Sequence, residues 1–177
     1  MNSIEITLPY AVFVAYCVLL AAAAVFDTWK FIVPNRVSLG LAGLFLVAAP
    51  FLPQPVDWLS HLGAAGVVLA VCFVPFALGR LGGGDVKLIT AVSLWTGFEY
   101  LLEFLVYASL AGGILALVLV LIRRLLKGRP IGSVGAAGRT ALPRVLRIGE
   151  SVPYALAIAP AAILVGGLLP VVGRPWV

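Results

Sequence analysis

The sequence predicts an all-α membrane protein, a single polytopic domain over residues 1–177 with about six transmembrane helices. Three observations lead there. Hydrophobic residues make up 63% of the chain, charged residues only 11%, and the mean hydropathy is +1.15. An ordinary soluble domain is roughly 45–50% apolar, so this chain calls for a solvent other than water. The apolar runs are long and unbroken and do not alternate in twos. In lipid every backbone amide must be paired within its own element, so such runs form helices and not barrel strands. Finally, the basic residues gather in alternate loops, as cytoplasmic loops do.

The elements follow in order. Span 1 is expected over about Pro9 to Phe26, with Pro9 in its first turn and Trp29 in the interface belt. The opening Met1-Asn2-Ser3-Ile4-Glu5 has no basic n-region, so this span is expected to be retained and not cleaved as a signal. A short loop through Pro34 leads to Asn35, which is placed to cap the next helix. Span 2 is expected over Val37 to Phe51, ended by Pro50, Pro53 and Pro55, and His61 is assigned to the loop or interface beyond it. Span 3 covers Leu62 to Leu78, with a kink expected at Pro75. Spans 4 and 5 cover Val86 to Phe98 and Tyr100 to Ile122. A polar, Arg-rich stretch follows, and span 6 covers Val152 to Val172, with Ser151 as its cap and Pro153 in its first turn. Gly63, Gly66, Gly112, Gly113, Gly166 and Gly167 suit close helix packing.

The net charge is +5, which in another chain would point to nucleic acid. Here eleven of the twelve basic residues fall in the loops after spans 1, 3 and 5, and Arg174 alone falls on the other face. That face holds Glu5, Asp57, Glu99 and Glu103. The asymmetry predicts an outside N-terminus with the odd-numbered loops cytoplasmic, and no nucleic-acid partner. Cys17 and Cys72 read as small buried hydrophobes, and without a CxxC pair no zinc site is expected. Nothing in the sequence calls for a metal or an organic cofactor.

Two acids stand out. Asp27 ends span 1, and Asp85 opens span 4 within Gly82-Gly83-Gly84-Asp85-Val86-Lys87-Leu88. The predicted crossings return both carboxylates to one membrane face. Acids at a membrane boundary are functional candidates, because burying them there is costly. A close pair shares one proton: the ionised member can act as base toward water, and the protonated one can polarise a peptide carbonyl and help the amine leave. Other readings remain open at this point. Asp27 can pair with Lys30 one turn on, and Asp85 with Lys87 or Arg80. The two acids can also carry protons or cations in a small transporter, although no internal repeat of the transporter kind is evident. A non-catalytic assembly subunit would use neither.

The motifs resemble those of the prepilin peptidases (type IV leader peptidases), membrane aspartic proteases of the GxGD class. Gly82, Gly84 and Asp85 fit the GxGD signature, and Lys87 lies in its usual extension. Asp27, Lys30, Val33, Pro34 and Asn35 resemble the other element, an Asp at a helix end followed by a basic residue and Val-Pro-Asn. Ser151-Val152-Pro153-Tyr154 resembles the start of the last helix. The resemblance implies that Asp27 and Asp85 are the catalytic aspartates of an endopeptidase. Its substrates would be prepilins or pilin-like proteins, cut behind a short basic leader at the cytoplasmic face of the bacterial inner membrane. Larger members carry an extra cytoplasmic region, often with paired CxxC motifs, linked to N-methylation. The loop from Thr28 to Arg36 is too short to hold it, so peptidase activity without methyl transfer is expected, as in the short Flp/Tad-type pilus enzymes. An archaeal preflagellin peptidase would share the layout. Lys30 and Lys87 are expected to tune the pair, and Pro34 and Asn35 to shape the loop beside it.

Overall fold

The computed structural model describes residues 3–51, 55–127 and 153–168. Every regular element among them is helical: α1 (Ser3–Lys30), α2 (Asn35–Ala48) with a 3-10 turn (Ala49–Phe51), α3 (Trp58–Ala77), α4 (Gly83–Lys127) and α5 (Ala155–Gly166). Three segments, within α1, α3 and α4, are long and apolar enough to cross a membrane. Asn35–Phe51 and Ala155–Gly166 are shorter apolar helices. Large apolar side chains such as Leu39, Val71, Leu102 and Leu117 stand outward, as a lipid-facing surface would have them. The expected Arg-rich stretch beyond Lys127, the Ser151 cap and the far end of the sixth span lie outside the described residues.

Helix α1 starts earlier and ends later than the hydropathy suggests. Pro9 lies inside it, not in its first turn, and Asp27 lies in its last turn. The helix stops at Phe31, whose φ of 54° is left-handed and whose N–H donates to the Asp27 carbonyl at 2.9 Å. That is the single-bond αL termination, here made by a residue other than glycine. Four residues, 31–34, then lead into α2. Pro34 occupies the cap position in extended conformation without a side-chain bond, so Asn35 opens the helix and does not cap it.

Helix α3 begins at Trp58 because Asp57 caps it: its carboxylate accepts the N–H groups of Leu59 and Ser60 at 3.1 and 3.2 Å. His61 is therefore a buried helical residue and not a loop residue. The other end of α3 closes in a Schellman arrangement. Gly79 (φ 67°) donates to Phe76 O, and Arg80 N–H reaches Pro75 O, both at 2.9 Å. In this turn the left-handed backbone thus falls on Gly79, whereas Gly83 and Gly84 lie within α4.

Helix α4 breaks at Gly97 (φ 57°, ψ −171°), two residues before the division expected at Glu99. Its arms fold back on one another. Ile89 and Ala116 line the same groove, yet a straight helix would hold them about 40 Å apart. A continuous helix would also bond Leu94 O to Phe98 N–H, and the break frees both groups. Helix α3 takes up each one. Ser60 Oγ accepts Phe98 N–H at 3.0 Å, and His61 Nδ1 lies 2.8 Å from Leu94 O. A carbonyl only accepts, so Nδ1 carries the hydrogen.

The core joins four helices through aromatic side chains. Trp95 is fully buried, with its ring centroid 4.9 Å from Tyr16 and 5.4 Å from Phe45. Its Nε1–H donates to Leu41 O at 3.0 Å, and the Tyr16 hydroxyl donates to Ala162 O at 3.3 Å. Both polar tips are satisfied, as buried Tyr and Trp require. Cys17 and Cys72 are free thiols and only half-buried. Of the expected packing glycines, Gly63 lies against Phe98 and Gly166 against Tyr16, while Gly66 and Gly113 face open space.

Candidate active site

Asp27 is 5% exposed, although nothing about a helix end requires a carboxylate to be hidden. Its Oδ2 accepts the N–H of Ala155, the first residue of α5, at 2.8 Å. That N–H belongs to the first turn of a helix, where no intrahelical carbonyl is available to it. A carboxyl oxygen therefore meets an orphan donor, an arrangement that is strongest when the acceptor is ionised.

Asp85 lies in the first turn of α4 and is half-buried. It folds back so closely that a Cβ on Gly82 would sit 2.8 Å from its Oδ2. The next two glycines make room for neighbours. A Cβ on Gly83 would meet the Phe76 ring at 3.1 Å, and one on Gly84 would meet Val33 Cβ at 3.1 Å and Val33 N at 3.3 Å. The glycine run thus serves close approach and not unusual dihedrals. Gly84 seats the start of α4 directly on the backbone of the segment that follows Asp27. The Gly84–Val33 contact brings Asp85 toward the end of α1 where Asp27 lies.

The basic neighbours take other partners. Lys30 Nζ stands 5.7 Å over the Phe26 ring. Lys87 Nζ donates to Asn35 Oδ1 at 2.9 Å, tying α4 to α2. No ion pair joins Asp27 to Lys30, or Asp85 to Lys87 or Arg80, among the described residues. Pro34 holds the connection extended beside Val33, which is buried. Asp27, Asp85, Gly82, Gly84, Pro34, Asn35 and Lys87 are therefore gathered at one end of the bundle, with Lys30 at its edge. No cluster of three or more His, Cys, Asp or Glu side chains able to hold a metal ion occurs among the described residues.

Sequence reasoning missed the Ala155 amide. Pro153 and Tyr154 marked the start of the last helix, but a backbone donor has no side-chain signature. Pro153 itself stands just before the helix, with its carbonyl accepting Leu156 N–H at 3.2 Å.

The fold and site together define a class: a helical protein with membrane-length apolar helices and two carboxylates brought near each other at one end. The chain belongs to the type IV leader peptidase family, whose profile matches residues 14–117. Over 126 residues it is 31% identical to the prepilin leader peptidase/N-methyltransferase of Bacillus subtilis (strain 168). That alignment takes in 70% of this chain and 49% of the relative, so the match spans about half of the relative's length. No solved structure matches.

Proposed function

We propose that this protein is an aspartic endopeptidase of the prepilin peptidase type, acting through Asp27 and Asp85. The observation that carries the reading is the Gly84–Val33 contact. It sets the first turn of α4, with Asp85, against the segment leaving the Asp27 turn of α1. Family membership supports a peptidase, and the two buried or half-buried acids supply the groups that peptide hydrolysis needs. One carboxylate draws a proton from water while the other, protonated, activates the carbonyl.

The substrates proposed are prepilins or pilin-like proteins of the pilus and secretion systems, cut behind a short basic leader. The reaction is placed at the cytoplasmic face of the bacterial inner membrane, in a six-span arrangement with the N-terminus outside. The fold-back of α4 at Gly97 supports counting its arms as two crossings. Peptidase activity is proposed without methyl transfer, in the manner of the short Flp/Tad-type enzymes. The four-residue connection between α1 and α2 supports this, because it leaves no room there for an inserted region.

Co-expression with a panel of type IV and Flp-type prepilins tests the reading, with Asp27→Asn and Asp85→Asn run beside the native chain at equal membrane levels. The native chain is expected to yield the mature band and both variants to lose it. Normal cleavage by either variant would refute the aspartate pair.

A further inference from the structure

The two aspartates are held differently. Asp27 Oδ2 takes the Ala155 N–H at 2.8 Å, and Ala155 has no exposed surface. Each carboxylate lies at a helix amino end, whose partial positive charge favours an anion at both, so the Ala155 hydrogen bond is what distinguishes them. The Asp85 carboxyl is turned back over Gly82 at the amino end of its own helix. Among the described residues it receives no N–H.

We propose that the Ala155 amide is a positioning group that makes the pair unequal, fixing Asp27 as the ionised base and leaving the shared proton on Asp85. The inference rests on the aspartic reading above. Asp27 Oδ1 takes a proton from water as the water oxygen bonds to the scissile carbonyl carbon. The Asp85 proton passes to the carbonyl oxygen, giving a neutral gem-diol. The proton on Asp27 then goes to the nitrogen as the C–N bond breaks. One gem-diol hydroxyl returns its proton to Asp85, leaving a carboxylic acid and an amine. Oδ2 keeps its bond to Ala155 N–H throughout, so the carboxylate is held in one orientation while Oδ1 gains and loses the proton.

Lactic acid is the ester counterpart of alanine, so it removes a single N–H without changing the side chain. Ala155→lactic acid, introduced into the full chain, removes the donor to Asp27. Ala157→lactic acid is the control, because its N–H donates to Tyr154 O at 2.9 Å in the same turn of α5. Loss of a hydrogen bond to a charged group predicts that the 155 ester lowers kcat roughly ten- to hundredfold with KM nearly unchanged, while the 157 ester changes kcat by less than about threefold. Equal losses in the two esters, or a 155 ester at the native rate, would overturn the proposal. So would a 155 ester that fails to accumulate when the 157 ester accumulates, because the amide would then act in folding alone. Asp27→Asn and Asp85→Asn separate this inference from the one beneath it. If both are inactive while the 155 ester is fully active, only the positioning role falls. If either aspartate variant cleaves normally, the aspartic reading falls and takes this inference with it.

Discussion

Gly97→Ala is the substitution whose cost can be worked most directly from the structure. Gly97 has φ 57° and ψ −171°, a region that side-chain-bearing residues avoid. Holding alanine there costs about 1–3 kcal/mol. The added Cβ would also lie 3.1 Å from Ser60 Oγ and 3.3 Å from His61 Nδ1 and Cε1. These are the atoms that accept Phe98 N–H and bond Leu94 O, so relieving the crowding loosens two hydrogen bonds. Each is worth about 1 kcal/mol net, so partial loss of both brings the total to about 2–4 kcal/mol. The measurement is denaturant unfolding of the purified protein in detergent, followed by tryptophan fluorescence, since Trp95 is buried two residues before the break. Gly66→Ala is the control. Its Cβ meets nothing within 4 Å in the interior of α3, so it should be neutral or stabilising by up to about 1 kcal/mol. If Gly97→Ala unfolds within about 0.5 kcal/mol of Gly66→Ala, the account of the break is wrong.

Two further predictions concern the acid end. Gly84→Ala would push Val33 and its backbone away from the start of α4, and misplacement of that kind predicts a cleavage rate roughly ten- to hundredfold lower. Gly43→Ala, whose Cβ meets nothing within 4 Å, should leave cleavage unchanged, and a prepilin processing assay on both variants compares them. Lys87→Met and Asn35→Ala should each cost about 0.5–1.5 kcal/mol in the same unfolding assay, and the double variant no more than the larger single loss, because one bond joins the pair. Additive losses would mean that Lys87 has another partner.

The helical class and the rough positions of the helices could be read from the sequence, because both rest on side-chain type and spacing. Hydropathy located α1 and α3 but misplaced their ends. Asp57 marks the start of α3 as a cap, yet as an isolated acid between two apolar runs it reads as loop. His61 was misplaced for the same reason, since its partner Leu94 O exists only because a distant residue breaks α4. Gly97 carries no signal that sets it apart from the other glycines in the apolar runs. The Ala155 amide leaves no trace at all, because any residue but proline would supply that N–H. Conversely, the lysines at 30 and 87 looked like natural partners for the acids. Proximity in sequence does not fix where a long, flexible side chain ends up, and the structure sends both elsewhere.

Each aspartate depends on a separate set of contacts. The first arm of α4 buries Leu88, Ala91, Val92 and Trp95, spaced as one helical face. It is fixed at one end by Val33 and Phe76 against the glycines, and at the other by Ser60 and His61 at the break. Asp85 therefore sits on a helical arm held at both ends. Asp27 depends instead on α5, whose Ala155 meets its carboxylate and whose Ala162 carbonyl is held by the Tyr16 hydroxyl of α1. The two assemblies meet where the Tyr16 ring lies 4.9 Å from Trp95. A pair of acids must be placed to within a fraction of an ångström to share a proton productively. For the pair proposed here, that precision would come from the aromatic core deeper in the bundle and from the short Val33–Pro34 connection, more than from any charge beside the acids.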